Sequence, residues 1–287
     1  MRRSWRFSDG FLVALLVGLA ITVTRAVWAD IFILAVRNDE SSYILLAPAL
    51  AAWLAWVRRG RMRLCLPRPS PIGAIIIIAG WVLMVLGRER GIDLFRDCGA
   101  LLVVGGAVLA VTGPDVFVRF AAAWGALFFL VPVPGRIRHI IAVPLQQVSA
   151  ETTKFLLDLL AIQAEQNGNL LVVNGTEVAI AEACNGMRMV AAMALIAYAF
   201  VFSFPMRTWA RLLLLGISPM VAILVNVIRL LPTAILYGNS TPAFADAFHD
   251  VAGWAVLLLA MGFMWLVLAL LRFLELPIAP YSVREEA

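Results

Sequence analysis

Lysine is almost missing from this chain. Lys154 is the only one, and every other cation is an arginine. Charge of either sign is scarce, at 14% of 287 residues. Soluble domains carry about a quarter charged residues and are about half apolar. Here 63% of residues are hydrophobic and the mean hydropathy is +0.93. That excludes an ordinary soluble enzyme. The longest stretch between apolar runs is also too short to hold a sizeable soluble core of its own. The net charge of +5 comes from scattered arginines rather than a basic stripe, which excludes a nucleic-acid-binding surface. The three cysteines, Cys65, Cys98 and Cys184, are far apart. They form neither a metal-ligand pattern nor a disulfide framework. No cofactor or metal is expected.

What remains is a polytopic, all-α membrane protein in one integral membrane domain. A spanning helix needs about 20 mostly apolar residues. Eight candidate spans fit, over Phe11–Ile33, Tyr43–Val57, Pro71–Gly87, Phe95–Val111, Val116–Val131, Cys184–Phe204, Ala210–Leu236 and Val251–Phe273. The first reads as an anchor rather than a cleavable signal, because Arg25 and Asp30 follow where small residues would mark cleavage. Residues 1–131 thus hold five helices, 132–183 an external segment, and 184–275 three more helices.

Arg2, Arg3 and Arg6 fall on the same side as the run Arg58, Arg59, Arg61, Arg63 and Arg68. The positive-inside rule then places both termini in the cytoplasm and residues 132–183 outside. Pro132 and Pro134 end the fifth span. From Leu145 an apolar set (Leu145, Val148, Phe155, Leu156, Leu159, Leu160) alternates with polar residues. This predicts an amphipathic helix on the bilayer surface. Two β-prone runs then flank Asn174-Gly175, the strongest short hairpin signal. The expected hairpin leads directly to Cys184.

This topology puts Cys184, Asn226, Arg229, His249 and Arg188 at one membrane depth on the outer side. A thiolate is a nucleophile, an imidazole serves as acid and base, and a guanidinium stabilises an oxyanion. Asn226 stands three residues before Arg229, on the same helix face, and is positioned to orient it. Each residue also has a plainer reading. Cys184 is then a small apolar filler, or pairs with Cys98. Arg229, a charge inside an apolar run, marks a functional site or a structural ion pair with Asp246 or Asp97. His249 is a solvated loop residue and Arg188 snorkels to the headgroups. Asp250 adjoins His249, but neighbours on a helix point apart, so it is not expected to act as a triad acid.

Taken together, Ala183-Cys184-Asn185-Gly186-Met187-Arg188, then Asn226-Val227-Ile228-Arg229, then His249-Asp250-Val251-Ala252-Gly253-Trp254 resemble the exosortase/archaeosortase family of membrane transpeptidases. The resemblance is carried by a Cys-small-Gly-x-Arg element, an Asn-x-x-Arg element and a His-x-x-x-Gly element, in that order. It covers about Leu127 to Trp254. Asn185 stands where the family often has serine, and Ser41-Ser42-Tyr43-Ile44 where exosortases often carry His-Gly.

The resemblance implies an inner-membrane cysteine peptidase or transpeptidase. Its substrates would be exported proteins ending in a short motif, a transmembrane helix and a basic cluster. Cys184 would form a thioester, Arg229 would stabilise the oxyanion, and His249 would serve as acid and base. From charge and position alone, apart from the resemblance, Arg188 is a candidate to bind an acidic residue of the substrate and Asn226 to support Arg229. Two other readings stand beside it. One is an intramembrane protease that only hydrolyses. The other is a transporter or polysaccharide-export accessory protein, in which Arg229 and Arg188 line an anionic path. The inverted repeats typical of transporters are not found.

Overall fold

The computed structural model describes residues 5–168, 170–179, 186–274 and 276. The chain divides into two compact units, Met1–Pro134 and Gly135–Ala287. Among the described residues, four helices are long and apolar enough to cross a membrane, or up to six if each bent helix pair is one span. The molecule is an all-α polytopic membrane protein with a small sheet.

In the first unit, the expected first span is two helices, α1 (Phe7–Val23) and α2 (Arg25–Arg37), bent by 75°. The break falls at Thr24. Its hydroxyl donates back to the Ala20 carbonyl at 2.7 Å and accepts from the Trp28 indole at 2.7 Å. The second expected span is a 3₁₀ stretch (Asp39–Leu45) running into the short α3 (Leu46–Val57). The third and fourth form an antiparallel pair, α4 (Pro71–Arg90) and α5 (Asp93–Thr112). These two helices meet through glycine. A Cβ at Gly80 would lie 2.8 Å from the Gly99 carbonyl oxygen, and one at Gly106 would lie 2.9 Å from the Gly73 carbonyl oxygen. Small residues let membrane helices approach backbone to backbone, where dispersion is strongest. The fifth expected span is interrupted at Phe120 into α6 (Pro114–Arg119) and α7 (Ala121–Leu127).

The second unit opens with α8 (Gly135–Leu159), a three-stranded sheet of β1 (Ala164–Asn167), β2 (Leu170–Val173) and β3 (Thr176–Ala179), and three helices, α9 (Gly186–Ser203), α10 (Thr208–Asn239) and α11 (Pro242–Phe273). Helix α8 begins ten residues before Leu145 and runs through Pro144. Its small residues face the protein and much of its apolar set faces away from it. Ser149, Ala150, Thr153 and Leu157 are buried, while Val148, Phe155, Leu159 and Leu160 are exposed. The small residues allow α8 to lie close to its neighbours, and the bulky ones face outward. The hydroxyls of Ser149 and Thr153 are satisfied by carbonyls one turn back, Leu145 and Ser149.

The strands are antiparallel in the order β1-β2-β3, with Val173 paired to Thr176. Asn174 (φ 51°) and Gly175 (φ 80°) both take positive φ. That is the conformation a two-residue turn of this kind requires, and Asn-Gly adopts it at low cost. Strand β1 had no signal of its own in the sequence. Ala164-Glu165-Gln166-Asn167 is neither apolar nor β-branched, and only its pairing with β2 makes it a strand.

Helices α9, α10 and α11 share one core, in which Val201, Leu214, Val225, Ala260 and Met264 are almost fully buried. A second core joins α8, the sheet and the C-terminal half of α10 through Ala150, Leu157, Leu171, Val173, Leu230 and Ala234.

Candidate functional site

Helix α10 has 32 residues and so rises about 48 Å, well beyond the ~30 Å of a hydrocarbon core. It contains two prolines, each removing one N–H from the helix ladder. Pro219 leaves the Leu215 carbonyl short of its partner, and the Ser218 hydroxyl donates to that oxygen at 2.7 Å. Between Pro219 and the helix end lie Asn226 and Arg229, both only 7% exposed. The Arg229 carbonyl accepts from the Thr233 hydroxyl at 2.7 Å.

Helix α11 starts nine residues earlier than its apolar run. Thr241-Pro242 sets the start. Proline at the first helical position has φ already fixed and no N–H to lose, and the Phe244 and Ala245 amides bond back to the Thr241 carbonyl. His249 and Asp250 therefore sit about two turns inside the helix, not at its mouth as the hydropathy predicts.

That shift decides the geometry. The guanidinium of Arg229 meets the His249 ring, Nη2 to Nε2, at 2.5 Å. Gly253, one turn beyond His249, lies under the same guanidinium. A Cβ there would be 3.6 Å from Nη2, an ordinary contact. His249 is thus not a loop residue in solvent. On the other side of the ring, Nδ1 stands 3.2 Å from Asp250 Oδ1. The expectation that Asp250 points away from its neighbour is wrong. Nδ1 lies only one bond beyond the ring attachment, close to the backbone, and a short aspartate can reach it although the two Cβ atoms diverge.

The ion-pair partners considered for Arg229 are engaged elsewhere. Asp246 accepts a hydrogen bond from the Tyr237 hydroxyl. Asp97 is bound by Arg96 at 2.9 Å, which also reaches Asp93 at 3.3 Å and Asp30 at 3.5 Å. Cys98 is a free thiol. Among the described residues, no three His, Cys, Asp or Glu side chains gather as a metal ion needs.

Cys184 lies outside the described residues, two positions before α9, and Arg188 occupies the first turn of that helix. The far end of α9 meets the start of α10, where Arg211 stands over the Phe202 ring at 5.4 Å. The two helices are antiparallel, so the start of α9 runs toward the end of α10 that carries Arg229. The sheet that precedes Cys184 docks at this same end. Asn174 donates to the Asn239 side chain at 3.2 Å, and Gly238 lets Val173 come so close that a Cβ there would be 2.8 Å from Val173 Cγ1.

A family model described as Transmembrane exosortase (Exosortase_EpsH) matches residues 28–266. Neither the curated proteins nor the solved structures contain a match.

Proposed function

The chain belongs to the transmembrane exosortase family, and on that premise we propose that it is a cysteine peptidase or transpeptidase acting on C-terminal sorting signals. Its substrates are exported proteins that end in a short motif, a transmembrane helix and a basic cluster. The protein lies in the inner membrane with both termini in the cytoplasm, and the reaction takes place at the outer face.

The observation that carries this reading is the Arg229–His249 contact. A buried guanidinium held against an imidazole places an oxyanion donor and a proton carrier side by side. That is what acyl transfer needs. Cys184 supplies the nucleophile. Its thiolate attacks the scissile carbonyl, and Arg229 donates to the oxygen as it becomes negative. His249 gives a proton to the departing amine, leaving a thioester on Cys184. It then takes a proton from the incoming amine or water that releases the product. Arg188 binds an acidic group of the sorting motif, and Asn226, one turn from Arg229 on the same helix, supports the guanidinium.

The test is a Cys184→Ala substitution in the native host, following a protein with such an ending by intact mass. The tail stays on in the variant and is removed in the wild type. Unchanged processing, with the variant made and inserted, would overturn the proposal.

A further inference from the structure

We infer that Arg229 and Asp250 hold the His249 ring between them as the single neutral tautomer with its proton on Nδ1, and that Asp250 is a positioning residue for the reaction. The catalytic part of this inference rests on the function proposed above. The tautomer itself rests only on contacts in the second unit.

The argument is one of donors and acceptors. A guanidinium has five N–H donors and no acceptor, and an ionised carboxylate has acceptors only. His249 Nε2 faces Arg229 Nη2 at 2.5 Å, and Nδ1 faces Asp250 Oδ1 at 3.2 Å. Only one assignment satisfies both contacts. Nη2–H donates to Nε2, so Nε2 is the bare nitrogen, and Nδ1–H donates to Asp250. The ring is 13% exposed and the carboxylate 83%, so the fixed proton lies on the exposed side and the basic nitrogen on the buried side with Arg229.

This arrangement couples two events. When His249 takes the proton of the Cys184 thiol, Nε2–H forms and faces the Arg229 donor. Two donors cannot share one hydrogen bond, so the guanidinium gives up Nε2 and is released toward the carbonyl oxygen that has just become negative. The proton later leaves Nε2 for the departing amine. The Nδ1 proton stays against Asp250 throughout, and Asp250 is the counter-charge for the doubly protonated ring. Each proton taken up is delivered, and no further reagent is needed.

The experiment uses the full chain in lipid nanodiscs, labelled with ¹⁵N-histidine. The sequence has two histidines, and His139→Gln leaves His249 as the one imidazole. The expected ¹⁵N spectrum has the proton on Nδ1. A proton on Nε2, or an even mixture, would overturn the assignment. Asp250→Ala is expected to move the Nδ1 resonance, speed its exchange with water, and slow substrate processing about tenfold, a fraction of the ~10²–10⁴ that acid–base catalysis contributes. Asp250→Asn keeps an acceptor oxygen and is expected to recover the resonance and most of the rate. If Asp250→Ala leaves resonance and rate unchanged, or moves the resonance alone, the positioning role is overturned. If Cys184→Ala has no effect on processing while the ring still shows Nδ1–H, the proposed function fails and the tautomer assignment survives.

Discussion

At the scale of single residues, the site depends on the shape of the guanidinium as much as on its charge. A lysine at 229 would keep the charge but replace a planar, multi-donor fork by a compact ammonium on a flexible stem. Its three donors all radiate from one nitrogen, so it could not span the ring and an oxyanion as the separate nitrogens of the fork do. Arg229→Lys is therefore expected to lower processing about hundredfold, the size of effect seen on losing one oxyanion donor, with the protein still inserted. Intact-mass kinetics of a processed substrate measures it. Gly253 makes a graded test of the same contact. Since a Cβ would sit 3.6 Å from Nη2, Gly253→Ala should fit and retain most activity. Gly253→Leu should push the guanidinium off His249 and abolish processing. Equal activity of the two variants would show that Gly253 does not govern where Arg229 lies.

At the scale of elements, close backbone approach builds the α4–α5 pair. A Cβ at Gly80 meets the Gly99 carbonyl oxygen at 2.8 Å and the Val103 amide nitrogen at 2.9 Å. Neither is the mobile end of a side chain, so the helices themselves would have to part. Gly80→Leu is expected to destabilise the first unit by ~3 kcal/mol or more, the upper range for overpacking. A fall in thermal stability of the purified protein measures this, and a variant as stable as wild type would refute it. The signal was in the sequence, with Gly73, Gly80 and Gly87 seven residues apart facing Gly99 and Gly106. Hydropathy averages over such a spacing and does not register it. Hydropathy also misplaced the start of α11. Helix-starting chemistry at Thr241-Pro242 precedes the apolar run by nine residues, and an amphipathic first stretch carries too many polar side chains to raise a hydropathy average.

At the scale of the whole molecule, arginine placement is the source of the orientation. The clusters around Arg2 to Arg6 and Arg58 to Arg68 predict a cytoplasmic N-terminus, and with an even number of crossings the C-terminus follows. Fused to Ala287, green fluorescent protein should shine and alkaline phosphatase should be inactive. An active phosphatase would put the C-terminus outside and overturn the proposed topology. Cys184, preceded by a segment placed outside, should then react in intact cells with a maleimide that does not cross membranes. Cys65 is buried and Cys98 half-buried, so both should react slowly.

Membrane class, the Asn-Gly turn and the candidate set Cys184, Arg229 and His249 were determined by the sequence alone. Each rests on a local property: apolar content, a dipeptide's tolerance of positive φ, or a residue type that is costly in an apolar run. Tertiary structure alone decided that the Arg229 guanidinium meets His249 Nε2, that Asp250 reaches the other ring nitrogen, and that a small-residue face of α8 rather than its bulky one is buried. Those facts depend on where α11 begins and how closely helices approach. The start of α11 is local, set at Thr241-Pro242, but the approach of the helices is set by packing between side chains far apart in the chain, which no local pattern encodes.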